Sequence, residues 1–454
     1  MYAVSWFKRT ALAVPLALSA CGGGGGGGGG SDPVVPAATC SVADQKTWLA
    51  DYMNEWYFWY RLSPRPDAAP YTTVSSFFAA LLYTGTSAGF PADRWSRSEA
   101  TESYNLFFGD GATLGYGVSV SGVEAAGDAT RPLWVRYVEA NSPAAVQVQR
   151  GDQIISLNGR SAASVIAADD YSALSATQAG QTLSLVLRRA GVDRAVVLSA
   201  ATYSLTPVQG AAVYTTAGGR KLGYLQIKDM LSQALAPMDA AFAQFKAAGV
   251  QDLVLDLRYN GGGLVSTGGT LASYIAGTRG SGLNYATLLY NDKRGGINNA
   301  NFAFSSPAAS LGLARVLVLT GPRTCSASEQ VINGLRGAGV DVVTIGDTTC
   351  GKPVGFLPAA SCGRTYSVVN FESVNQRNEG RYFDGFRATC AVAENFTAAQ
   401  GSAADPLAAQ ARSYADSGQC LVTAAGRAQP LAVRDGDARV RSREPGERQD
   451  MLPR

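Results

Sequence analysis

Two short runs constrain this chain more than anything else in it: residues 316–320 (Val-Leu-Val-Leu-Thr), and the cluster Val342, Val343 and Ile345. A strand that is apolar at every position must be covered on both faces, which points to a parallel sheet between layers of helix. Gly321 and Pro322 end the first run. Ser326 then opens a helix whose apolar stripe is Val331, Ile332 and Leu335. Gly351 and Lys352 stand in the loop beyond the second strand. A strand–helix–strand unit returns both loops to one rim of the sheet, so Ser326 and Lys352 are expected to face one cleft.

The chain contains no histidine. That excludes Ser-His-Asp, Cys-His and histidine–metal chemistry together. A serine nucleophile here needs another base, and lysine is the usual substitute. Lysine accepts a proton only when neutral, so burial would have to bring its pKa from about 10.4 to roughly 8, a cost on the order of 3 kcal/mol. Lys352 lies among Cys350, Gly351, Pro353, Val354 and Phe356, a low-polarity setting whose nearest carboxylate in sequence is Asp347.

Other readings compete. Ser326-x-x-Glu329 is also a capping box, which would serve only the helix start. The spacing from Gly346 to Lys352 is that of a phosphate-binding P-loop, but Pro353 stands where the magnesium-binding hydroxyl belongs. Cys325 has no histidine to activate it. Ser328 is about 200° round the helix from Ser326, at roughly 100° per residue, so the two serines cannot share a role. Ser326, at the helix mouth, has amides beside it for an oxyanion. After a strand over residues 252–257, the glycines of Asn260-Gly-Gly-Gly263 would let a peptide backbone approach closely. The Gly262 and Ala327 N–H groups form the candidate oxyanion hole.

Thr324-Cys-Ser-Ala-Ser-Glu329, followed by Gly351 and Lys352, resembles the C-terminal processing peptidases, or tail-specific proteases. The motif Leu255-Asp-Leu-Arg-Tyr-Asn-Gly-Gly-Gly263 is similar to a second signature of that family. The resemblance implies an α/β, crotonase-like protease core with Ser326 as nucleophile and Lys352 as general base. Glu329 would support the site, and Asp256 and Arg258 would brace the glycine turn through charged hydrogen bonds. Many members have glycine after the lysine and glutamine four residues past it; Pro353 and Phe356 stand here. That departure keeps alive a peptide- or ligand-binding lipoprotein without hydrolysis.

Ahead of this core, Lys8 and Arg9 precede a short apolar run that ends Leu18-Ser-Ala-Cys21, and nine glycines follow. The run is too short to span a membrane. It resembles a lipoprotein signal over residues 1–20, with Cys21 lipidated and residues 21–39 a tether. The expected location is the cell envelope, lipid-anchored to the outer membrane. Charged residues are only 16% and the net charge is +3, which gives no reason to invoke nucleic acid. Seven cysteines less Cys21 leave six, an even number that suggests disulfides in an exported protein. Cys350 is expected to pair with Cys325 or Cys362. No metal or cofactor is implied.

Three regions make the expected fold an α+β and α/β multidomain chain. Residues 40–108 are helical and aromatic, forming a small N-terminal domain in which Asp93-Arg-Trp-Ser96 is similar to a recurring family segment. Residues 110–204 turn to short strands. Arg150-Gly-Asp-Gln-Ile and Asn158-Gly159 look like a PDZ domain, in which Gly115, Tyr116, Gly117 and Val118 would bind a peptide carboxylate. Residues 210–425 are the protease core, closed by a helix before Cys420. Residues 426–454 are expected to be a disordered tail. The expected activity is serine endopeptidase action on exported proteins or peptides.

Overall fold

The computed structural model describes residues 35–87, 89–421 and 448–453. At its centre is a six-stranded sheet in the order Val208–Thr215, Lys221–Ile227, Asp252–Asp256, Arg315–Thr320, Asp341–Gly346, Cys390–Ala391. Every neighbour is parallel except the first pair. The apolar runs explain this: Val316 and Val318 point into one core with Leu253 and Leu255, while Leu317 and Leu319 point into another with Val343 and Ile345. Helices Leu235–Ala248, Val265–Ala276 and Ala327–Gly337 supply the first cover, and Pro406–Ser417 supplies the second. Burial on both faces leaves no polar side to these strands, as a parallel sheet requires.

A second, antiparallel sheet runs Ala300–Ala303, Asn284–Tyr290, Val369–Val374, Val354–Phe356. The N-terminal helices Val42–Trp56, Val74–Leu81 and Thr101–Phe108 pack here rather than around a core of their own. Trp48, Trp56, Phe77 and Phe108 share one cluster with Val354, Phe356, Tyr366 and Val369. Strand Arg97–Ala100 pairs with Arg364–Ser367, and Cys40 is bonded to Cys362. A segment this short cannot enclose so many aromatics alone, so it borrows a surface.

Residues 110–204 do close on themselves. Strands Val118–Val120, Leu133–Val138, Gln153–Leu157, Thr182–Arg189 and Val192–Ser199 lie in that order and enclose their own core. Leu183, Leu185 and Leu187 alternate inward, as a half-buried strand demands.

The tail departs from expectation. Residues 448–453 are ordered, and Asp450–Leu452 is a fully buried strand, parallel to Gly262–Leu264. The surrounding composition is polar, but Met451 enters the core beneath the central sheet and Leu452 the cluster beside the second sheet. Two apolar residues suffice where the cleft is already formed. The signal, Cys21 and the glycine run lie outside the described residues, as do residues 426–447. Among the described residues, no helix is long and apolar enough to cross a membrane.

Candidate active site

Ser326 sits immediately before helix Ala327–Gly337 with φ +63° and ψ −119°. A non-glycine residue held there costs on the order of 1–3 kcal/mol, so its surroundings must over-determine it. They do. Cys325 N–H donates to the Asn260 carbonyl at 3.0 Å, and Cys325 is disulfide-bonded to Cys350. Ser326 N–H donates to Glu329 Oε2 at 2.9 Å. That bond is the half of the capping box that holds. The Ser326 hydroxyl is buried and makes no hydrogen bond, so it does not spend itself on the helix start.

Glu329 is what brings the two loops together. Its Oε2 also accepts the Lys352 N–H at 2.8 Å, and its Oε1 accepts the Gly351 N–H at 2.8 Å and the Thr349 hydroxyl at 2.5 Å. Ser326 and Lys352 are thus clamped through adjacent backbone to one carboxylate, and the loops that carry them are cross-linked by one disulfide. Burial pushes the Glu329 carboxyl above its ordinary range, and its hydrogen bonds offset only part of that. The Lys352 amine lies 3.7 Å from the centre of the Phe356 ring and donates to the Gln449 carbonyl. Phe356, four residues past the lysine, thus presents an aromatic face to the amine. The sequence setting without a nearby carboxylate is corrected in space, because Glu329 and Asp450 both flank Lys352.

Asp256 and Arg258 brace the glycine turn. Arg258 Nε donates to Asp256 Oδ1 at 2.9 Å, and its Nη2 reaches Asp405 at 2.6 Å. Asp405 also caps helix Pro406–Ser417. Burial alone would raise the Asp405 carboxyl, but the Arg258 guanidinium overrides it and holds the group below the usual range. Asn260, read from sequence only as part of a turn, proves to be the organiser. Its Oδ1 accepts from the Ser328 hydroxyl at 2.7 Å and from the Gly262 N–H at 2.9 Å, and its Nδ2 donates to the Ile227 carbonyl at 2.9 Å.

This corrects the oxyanion hole. The Gly262 N–H is consumed by Asn260 and is not aimed into the cleft. Gly262 sits opposite Asp450 in the parallel register, and the Asp450 N–H is on the Gly261 carbonyl at 3.0 Å. Parallel-ladder geometry then directs the Gly263 N–H at the Asp450 carbonyl. A Cβ on Gly262 would stand 2.2 Å from that carbonyl oxygen, 2.9 Å from Ala327 N and 2.9 Å from Ser326 Cβ. Ala327 N–H therefore stays a candidate donor, with Gly263 beside it.

The PDZ-like loop belongs to a separate hydrophobic core. Tyr116 is buried, and its carbonyl accepts from Ala144 N–H at 3.1 Å. The Gly117 carbonyl accepts from Glu139 N–H at 2.9 Å. Gly115 ends one strand and Val118 begins the next. This domain touches the catalytic loops: Arg323 Nε bonds Glu124 at 2.9 Å, and Arg150 reaches the Tyr259 hydroxyl at 2.7 Å.

Comparison with known proteins agrees with these three regions. Residues 221–359 match Peptidase family S41, residues 44–97 the Peptidase S41 N-terminal domain, and residues 109–188 the PDZ domain. A carboxyl-terminal-processing protease of a Picosynechococcus strain is 30% identical over 134 residues, which is 30% of this chain and 30% of that protein. A crystal structure assigned to an S41 protease of Bacteroides fragilis superposes with a TM-score of 0.62 at 23% identity, covering 82% of this chain and 97% of that one. A photosystem II D1 C-terminal processing protease gives 0.50 at 20% identity, covering 78% and 94%.

Proposed function

We propose that this chain, whose residues 221–359 match Peptidase family S41 behind an S41 N-terminal domain and a PDZ domain, is a serine endopeptidase that works through a Ser326–Lys352 dyad. Ser326 Oγ attacks the scissile carbonyl while its proton passes to the neutral Lys352 amine. Ala327 and Gly263 N–H groups hold the tetrahedral oxyanion, and Lys352 returns the proton to the leaving amine. A water molecule then attacks the ester, giving a proton to Lys352; the bond to Ser326 Oγ breaks, Lys352 returns that proton to Oγ, and the acyl group leaves as a carboxylic acid that ionises. Glu329 touches neither substrate nor reacting atoms; it positions both loops. This chemistry requires no metal.

The observation that carries the reading is the shared carboxylate: Ser326 N–H and Lys352 N–H end on the same oxygen of Glu329, at 2.9 and 2.8 Å. Substrates are proteins or peptides of the cell envelope, with the loop Gly115 to Val118 receiving a chain terminus. Anchoring through a lipidated Cys21 at the outer membrane rests on the N-terminal sequence. A second reading, a peptide-binding lipoprotein that does not hydrolyse, is favoured by one detail. Ser326 Oγ makes no hydrogen bond, while the Lys352 amine donates to Gln449. Hydrolysis of an unstructured peptide separates the two. The dyad requires activity that falls at least about 1,000-fold in both Ser326→Ala and Lys352→Ala; activity surviving in both variants refutes it.

A further inference from the structure

The strand in the candidate cleft comes from the chain itself. Residues 448–453 pass between Gly261–Gly263 on one side and the strand Val354–Phe356 on the other. Glycines stand where the backbones meet. A Cβ on Gly261 would lie 1.7 Å from the Arg448 carbonyl oxygen and one on Gly262 2.2 Å from that of Asp450, while one on Gly355 would lie 2.2 Å from the Phe371 ring and 2.6 Å from the Met451 carbonyl oxygen. No side chain fits at any of the three, so the channel is shaped for backbone along its length.

Side chains then fix the register. Asp450 is buried and paired with Arg97. Arg448 forks onto Glu99, with 2.7 Å from Nη1 to Oε1, and lies over Phe107 at 4.4 Å. Met451 and Leu452 fill the two cores on either side. Burial would raise the Asp450 carboxyl, but Arg97, Lys352 and Arg448 together hold it below the usual range. A positive site around a buried acid is a recognition device, and the arginine supplying it comes from the N-terminal region.

The catalytic groups are engaged but not productively. The Asp450 carbonyl oxygen, Ala327 N and Ser326 Cβ all border the space that a Cβ on Gly262 would occupy, at 2.2, 2.9 and 2.9 Å from it. The Lys352 amine is bonded one residue upstream, to the Gln449 carbonyl, and Ser326 Oγ has no hydrogen-bond partner to take its proton. The tail thus runs as an extended strand through the cleft, and its Gln449 carbonyl takes a hydrogen bond from the Lys352 amine.

We propose that this channel takes an extended peptide with an acidic residue followed by two apolar ones, that Arg97 reads the acid, and that residues 448–453 are its resident, uncleaved competitor. The inference rests on the peptidase reading for the identity of the site, but it makes a binding claim of its own. Any peptide entering the cleft must displace the tail, and displacement frees Lys352 for Ser326.

The test uses the full-length chain. Asp450→Lys with Met451→Asp puts a cation against Arg97 and Lys352 and a charge into the core, which releases the tail. Binding is read by fluorescence anisotropy of a labelled peptide of residues 448–454, in a Ser326→Ala background where no hydrolysis occurs. The released chain is expected to bind this peptide at least about tenfold more tightly than the unreleased one. A peptide with lysine at the Asp450 position should bind neither. Arg97→Glu in the released chain should invert that preference. Equal binding by released and unreleased chains, or binding by neither, overturns the proposal. So does a purified full-length chain whose mass lacks residues 451–454, since that tail would be a substrate. Hydrolysis gives the separate arm: kcat/KM should rise about tenfold on release, mainly through KM. Absent hydrolysis with intact differential binding refutes the peptidase reading and leaves this one standing.

Discussion

At the catalytic cleft, glycine backbone meets a segment nearly two hundred residues further along the chain, whereas at the PDZ loop the same residue type meets its immediate neighbours. The Gly117 carbonyl is satisfied by Glu139, and a Cβ there would strike Ser142 Cβ at 2.0 Å. All of this happens within one self-contained core. The cleft instead joins Asn260, Ser326, Glu329, Lys352, Arg97 and Asp450, which arrive from the N-terminal region, two sheets and the chain end. A domain closed on itself confines damage. A site assembled from distant segments spreads it.

The largest effect expected is from Arg258→Ala. It strips the partner from buried Asp256 and Asp405, and removing one member of such a cluster costs about 3–5 kcal/mol. Denaturant unfolding should show the protease core falling by that amount; a loss below about 1 kcal/mol would mean the cluster braces nothing. Replacing Cys325 and Cys350 together with serine comes next. The loop they close spans 25 residues, worth about 3 kcal/mol by chain entropy. Peptidase activity should fall with stability, because the same bond holds Ser326 and Lys352 in register.

Gly117→Ala sharpens the contrast. With φ +81° and no room for a methyl, it should cost about 1–3 kcal/mol. Monitored by hydrogen exchange, that loss belongs to residues 110–204 alone, and loss of protection spreading into the central sheet would break the comparison. The smallest effect is acid release of the tail. Asp450 is held below its ordinary range in the folded chain, so its contribution is fully present above about pH 4 and lost as pH falls below that. Amides of Asp450–Leu452 should lose protection as pH falls below about 4, before those of Leu317 do. Simultaneous loss would remove the separate role given to Asp450.

The parts legible in the sequence share a physical reason: their signals are local. Continuous apolar runs at 316–320 and 342–345 require burial on both faces, and that alone specifies the parallel sheet and its shared rim. The alternation of Leu183, Leu185 and Leu187 specifies a half-buried strand in the PDZ region. What was not legible depends on partners distant in the chain. Arg258 and Asp405 are separated by 147 residues, and nothing in either motif names the other. The Gly262 N–H was assigned to the oxyanion because the side chain of Asn260, two residues earlier, could not be oriented from sequence. The tail was read as disordered because its average composition is polar. Its order depends on Met451, Leu452 and an Asp450–Arg97 pair spanning 353 residues. The N-terminal region matches a domain of its own at residues 44–97, yet its aromatics pack against the second sheet, a contact that nothing local in the sequence names.

The central claim is that an amine, in a chain without imidazole, activates Ser326. A fluorophosphonate serine label followed by peptide mass mapping tests it most directly, using the tail-released chain so that the cleft is open. The account predicts a single adduct on Ser326 that forms at least about 100-fold more slowly in Lys352→Ala. An adduct on another serine, or undiminished labelling of Ser326 without Lys352, would contradict it.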